Sequence, residues 1–425
     1  MKTKLCSLIL LTSQLTFAAA SRGAEGFVAH EWGTFTSVQG ADGIQMEWNP
    51  LVTAELPPFV YNSVRRVGGR IVWEGKGAYQ TLQRMETPVI YFYSDAQQKV
   101  DVTVDFPQGI VTEWFPQGKQ FVPATAKTPP RAGRQMIRWE NIEILPLKHN
   151  ASLAGALPLE NSGSHYYAAR ATDADYLRVT KPDAPGAAEI EKFLFYRGVG
   201  NFRAPLTVSQ LSDGTSLVLT NTAPEPLRNL FVYTVRGNEA KFVPVDTLPT
   251  GTARPVALRP DKNMAPLSDV RADLARRLRE ALVGEGLYER EAAAMVQTWD
   301  DSWFGDQGTR VLYTLPRAWT DRILPLTMEP KPRELARVMV GRAELISPDM
   351  EWNLLKQVVR FADADPQTRG RIIDDTRKLA YGRFMEPTAR RLMPKVPGPE
   401  FSRLSWELLE AASKPAPKEK VVAAK

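Results

Sequence analysis

Hydrophobic and polar positions alternate with period two along most of the chain up to Pro260. Beyond it they recur mainly at the three-and-four spacing of helices. Between Phe27 and Gly40, Val28, His30, Trp32 and Thr34 alternate with Ala29, Glu31, Gly33 and Phe35, which predicts a strand. Gly68-Gly69 separates Val64–Val67 from Arg70–Trp73 and predicts a hairpin. The run Thr87 to Tyr93 (TPVIYFY) is branched and aromatic, as in a buried strand. Val100, Val102, Val104 and Phe106 alternate strictly with polar residues, as in a strand with one face on a core. The FPQG turns at Phe106 and Phe115 bracket a returning strand from Ile110. Further strands are predicted at Met136–Leu145, Glu191–Arg197, Leu206–Leu211, Ser216–Thr220, Asn229–Val235 and Lys241–Val245, with a Pro-rich loop over 125–134. Many short strands with turns every ten or so residues predict a β-sandwich-like region.

After Pro260 the pattern changes. Ser268 is placed to cap a helix in which Leu274, Leu278 and Leu282 share one face, closed by Gly284 and Gly286. The stretch Glu289 to Met328 organises this half, because Ala292, Met295, Val296, Trp299 and Trp303 form one helical stripe. Gly305 and Gly308 break that helix, and Arg310 to Leu315 (RVLYTL) predicts a strand. A helix carrying two indoles on one stripe needs a broad apolar surface, and the β-rich half is the candidate. Leu335 to Ile346 predicts one more strand, Ser347-Pro348 opens a helix, and residues 366–392 hold at least one more.

The expected fold is therefore α+β: an N-terminal antiparallel β-sandwich-like half, then a mainly helical C-terminal half with a few added strands. The expected division is 1–20, 21–260, 261–413 and a disordered tail over 414–425. Composition fits a globular chain of this length, with 43% hydrophobic and 24% charged residues in 425. The net charge of +6 is spread along the chain, and no basic block is interleaved with aromatics, so nucleic acid is not an expected partner. Lys2 and Lys4, an apolar run from Leu5 to Phe17 and Ala18-Ala19-Ala20 form a secretory signal peptide with cleavage expected after Ala20. No later stretch is long and apolar enough to span a bilayer. The single cysteine, Cys6, lies in that peptide, so the mature chain has no thiol chemistry. These features predict an exported protein, periplasmic or extracellular.

Candidate chemistry is sparse. His30, His149 and His165 are the only histidines. HEWGT lacks the second histidine of a zinc-protease helix, since that position is Thr34. A composite site of His30, Glu31 and His165 for acid–base work or a divalent metal stays open, beside the alternative of histidines satisfied in the core. Ser164 to Tyr176 is the densest polar and aromatic run and holds Arg170, Asp173 and Asp175. Tyr196 and Arg197 close a strand before Gly198 and Gly200, where binding loops often lie. Trp299, Asp300 and Asp301 suggest a ligand cleft with aromatic platforms, which suits sugars. The alternative places the indoles in the core and the aspartates in solvent.

HEWGTFTSV, TPVIYFY, EAAAMVQTWDDSWF and RVMVGRAELISP together resemble an uncharacterised family of exported bacterial proteins. The resemblance implies export and carries no assigned activity. Two functions are expected to compete. One is an envelope-associated binding or scaffold protein, its ligand a glycan or a protein met by Arg170, Tyr196, Arg197, Trp299, Asp300 and Asp301. The other is a metal-dependent or acid–base hydrolase built on His30, Glu31 and His165.

Overall fold

The computed structural model describes residues 24–49, 56–62, 64–67, 70–73, 79–121, 135–160, 163–259, 262–396 and 398–414. The architecture is α+β. The N-terminal half is mostly strands in antiparallel sheets, and the C-terminal half is mainly helical with some strands. No described helix is long and apolar enough to cross a membrane.

An eleven-stranded sheet runs through the molecule. Near its centre the opening strand, Ala24–Gly40, pairs in parallel with Pro332–Ile346, placing His30 opposite Ala336 and Thr36 opposite Arg342. The opening strand's other neighbour is Gln83–Ser94, antiparallel, and Leu194–Gly200 and Gly109–Phe115 continue outward on that side. On the other side Pro332–Ile346 is followed by Gly308–Thr314, Leu227–Arg236 and Glu239–Leu248. Two strands from the helical half therefore sit in the middle of the sheet. The run from Arg337 to Ile346 is buried on both faces, which is why its sequence is apolar or paired-charge throughout.

Period-two alternation divides the opening strand between two cores. Phe27, Ala29 and Phe35 face a six-stranded sheet through Val100, Val102, Val104, Ile137 and Ile142. A three-stranded sheet continues that layer with Leu206, Val208, Leu217 and Leu219. Trp32 points the other way, with Val89, Tyr91, Phe195, Val338 and Val340, against the helices Leu267–Gly284 and Glu289–Phe304. The molecule is thus layered as small sheets, large sheet, helices. Four later helices, Pro348–Ala362, Pro366–Lys378, Met385–Leu392 and Pro399–Ser413, pack around their own core. Val38, Trp48, Ile346 and Phe384 join that bundle to one end of the large sheet.

Several local expectations change. Ser268 does not cap: the helix starts at Leu267, and the Ser268 hydroxyl lies within the first turn, donating to Asp269. Ser347 does cap, accepting from the Met350 N–H with Pro348 at the first position. His165–Arg170, in the polar and aromatic run, forms a 3-10 helix. Pro399–Ser413 is a helix the strand-and-helix pattern above does not include, although Leu404, Leu408 and Ala412 carry its spacing. Val64–Val67 and Arg70–Trp73 pair antiparallel as expected. The signal peptide, Cys6, the Gly68-Gly69 turn, the 125–134 loop and 415–425 lie outside the described residues.

Candidate functional site

The expected composite site begins with His30 and Glu31, and the pleat separates them at once. Adjacent residues on a strand point to opposite faces. His30 is fully buried on the helix side, with Nδ1 2.7 Å from Glu291 Oε2. Glu291 stands in the first turn of the tryptophan helix, is itself fully buried, and accepts two further bonds. These come from the Tyr93 hydroxyl, 2.7 Å, and the Tyr288 N–H, 2.8 Å. With its carboxylate taking donors on both oxygens, His30 must donate from Nδ1. Glu31, fully buried on the small-sheet side, accepts from Tyr196 and from Arg337 Nε. Arg337 also donates to Asp321 and to the Leu324 carbonyl. Its own burial works against its charge, but Glu31 outweighs that and holds its pKa above the usual value.

His165 meets a different part of the tryptophan helix. Its Nδ1 lies 2.7 Å from the Thr298 carbonyl and its Nε2 3.4 Å from Asp301 Oδ2. The contact points of the two histidines, Glu291 and Thr298, are about 10 Å apart along the helix at 1.5 Å per residue. His30, Glu31 and His165 are therefore held in three separate places. Among the described residues no group of three His, Cys, Asp or Glu side chains could hold a metal ion.

Two segments singled out by sequence do come together. The His165 ring stacks on Trp299, with 6.2 Å between centroids, and Trp299 stacks on Trp303. Both indoles are buried, while the Asp300 and Asp301 side chains are 40% and 66% exposed. The stripe is thus a core stripe, with Asp300 paired to Arg271. Little indole surface is left for a sugar to stack on. Arg170 clamps its 3-10 segment, with Nη2 2.7 Å from the buried Glu191, which also accepts from Tyr166. Tyr196 is fully buried on the face opposite Trp299, and Arg197 pairs with Glu113. These two belong to the sheet interior and form no common surface with Trp299 and Asp301.

The end of the tryptophan helix is held by a buried cation. Arg310 donates to the carbonyls of Trp303, Asp306 and Gln307 and to Glu344 Oε1, a cation set on a helix C-terminus. Arg342 donates to Glu344 and, at 2.9 Å, to Asp306. Burial works to raise the Asp306 carboxyl, but Arg342 and Arg310 outweigh it and hold it below the usual 3.8. A carboxyl depressed in the folded state stabilises above its unfolded pKa, and that contribution is lost as pH falls through the folded value. The Asp306 side chain is 38% exposed, so solvent limits the expected loss in Asp306→Asn at pH 7 to about 1 kcal/mol. Urea midpoints of the two proteins should converge below pH 3.8. An equal gap at both ends of the pH range would show that Asp306 acts through packing alone.

A cleft of about 380 Å3 lies at the far end of the large sheet, where the three-stranded sheet and the helical bundle meet it. Leu217, Leu258, Leu345, Met350 and Leu379 supply apolar wall. Thr234 and Thr309 share a hydroxyl–hydroxyl bond of 2.9 Å there. Gln307 is held by Gly237 through both ends of its amide, at 2.7 Å and 3.0 Å. Gln210 donates to the Gly214 carbonyl, and its Oε1 is buried with no hydrogen-bond partner. Tyr381, with its phenol raised by burial, bonds the Met350 carbonyl and neighbours the exposed Asn353. None of these residues carried a local sequence signal. They come from six separate stretches, and only the register of the sheet and the seat of the bundle bring them together.

No family model and no curated protein matches the sequence. The solved structures similar to it include the yeast delta-COP-I mu-homology domain, and the same domain complexed with the Dsl1 WxWxV peptide. The first has a TM-score of 0.28 at 7% identity, the second 0.27 at 6%. Each likeness covers 76% of this chain and 98% of the other.

Proposed function

We propose that this chain is an exported, non-catalytic binding protein of the bacterial envelope, and that the cleft between the sheet end and the helical bundle is its ligand seat. The observation that carries the reading is the cleft itself, whose volume of about 380 Å3 falls in the range of small-molecule sites. Apolar walls with a few fixed polar groups are the usual make-up of such sites. Export is supported by the charged start, short apolar run and Ala18-Ala19-Ala20. The rival hydrolase on His30, Glu31 and His165 lacks geometric support, because the sheet and the tryptophan helix keep the three side chains apart.

The test uses the chain without residues 1–20 and an Asn353→Trp variant, which adds bulk at an exposed cleft position. The unsubstituted protein is expected to co-sediment with a purified bacterial envelope fraction. The variant should bind at least about tenfold more weakly, a loss of about 1.4 kcal/mol, at an unchanged thermal midpoint. Equal binding by both proteins, or binding by neither, would remove the proposal.

A further inference from the structure

Resting on that reading, we infer that the ligand of the cleft is a neutral oligosaccharide. The polar groups presented there are amides and hydroxyls: Gln210, Thr234, Gln307, Thr309, Asn353 and Tyr381. Such groups both donate and accept, as a sugar hydroxyl does, so each can meet a hydroxyl in whichever role its internal bonds leave open. Several are fixed before any ligand arrives. Gln307 is pinned through both amide ends by Gly237, and Gln210 is pinned by Gly214, which spares the ordering cost of holding a long polar side chain.

Gln210 supplies the most specific observation. Its amide nitrogen is committed to the Gly214 carbonyl, and its Oε1 is withdrawn from solvent with no partner. An unpaired buried acceptor costs free energy, and a small turn of the side chain that opens it to the cleft would let an incoming donor relieve that cost. A ligand hydroxyl is such a donor. The half-buried Met350 and Leu379 leave some apolar wall for the C–H face of a pyranose ring. Among the described residues, one cation, Arg236, and one carboxylate, Asp349, line the cleft, and both are exposed. A site for an anionic or cationic ligand would be expected to concentrate one sign of charge. This one is balanced.

The ligand class separates from the envelope-binding reading by competition. Envelope-bound protein is challenged with neutral oligosaccharides, with uronate-containing oligosaccharides and with peptides of similar length, at low and at high salt. Neutral oligosaccharides are expected to displace it, and the displacement constant should change by less than about twofold with salt, because no net charge is neutralised. Gln210→Leu should weaken the neutral sugar by about tenfold while leaving the thermal midpoint within a degree or two of the parent. If Asn353→Trp abolishes envelope binding but peptides or uronates displace it and neutral sugars do not, the ligand class is wrong and the binding site stands. If envelope binding does not depend on the cleft, both fail.

Discussion

Replacing Glu291 by leucine is expected to produce one of the two largest losses of stability in this protein, about 3–5 kcal/mol. The substitution takes the acceptor from three donors at once, His30 Nδ1, the Tyr93 hydroxyl and the Tyr288 N–H. His30 and Glu291 are fully buried, so water does not take the carboxylate's place. The tryptophan helix would also lose the residue that closes its first turn onto the sheet. The readouts are the urea midpoint and hydrogen exchange along Glu289–Phe304, which should open before the large sheet does. Tyr93→Phe gives the scale, since it removes one donor and leaves the other two, and should cost about 1 kcal/mol. A loss below 1 kcal/mol in Glu291→Leu would mean that packing of the indole stripe holds the helix by itself.

The second large effect lies on the opposite face. Glu31→Met leaves the Arg337 guanidinium, whose side chain is 1% exposed, without its buried counter-charge. Asp321 and the Leu324 carbonyl remain, but the Asp321 side chain is 45% exposed and weakly coupled through solvent. Breaking a buried pair from one side costs about 3–5 kcal/mol, whereas replacing both partners by apolar residues of similar volume is often near neutral. Glu31→Met with Arg337→Met should therefore lose less than the two single losses added, by about 1–3 kcal/mol. Strict additivity in the double-mutant cycle would show that the two residues do not act as a pair. Neither substitution touches the cleft, so envelope binding by the folded fraction should be unchanged.

Much of the secondary structure was legible because it rests on period. The alternation from Val100 to Phe106 and the stripe from Ala292 to Trp303 each name a buried face, and the structure buries those faces. The same alternation held a further lesson. His30 and Glu31 are neighbours on a strand, so period two alone places them on opposite sides of the sheet. What the sequence could not show was distance. Glu291 lies 261 residues from His30, and no local pattern marks it as a partner. The cleft has the same origin: its threonines, glutamines and Tyr381 are ordinary residues until the sheet register and the helical bundle bring their segments together. The tryptophans are ambiguous in the sequence for a related reason. Tryptophan is large enough to serve a ligand or a core equally well, and the helical spacing here served the core.

The parallel pairing of Ala24–Gly40 with Pro332–Ile346 sets a schedule. Glu31 and Arg337 stand on those two strands, 306 residues apart. A ribosome adding about 5–20 residues per second takes about 15–60 s to travel between them. Throughout that interval the opening strand has at most one of its two long partners, and an edge of it offers unpaired N–H and C=O groups to whatever is near. The sheet cannot close from the N-terminus as the chain emerges; it must wait for the late strand to arrive. Under the export proposed above, such a delay would be useful, since a chain that cannot finish its central sheet early stays competent for translocation. The vulnerable moment is the wait itself, because the long-range closure is slow and the open edge is exposed to the wrong neighbour.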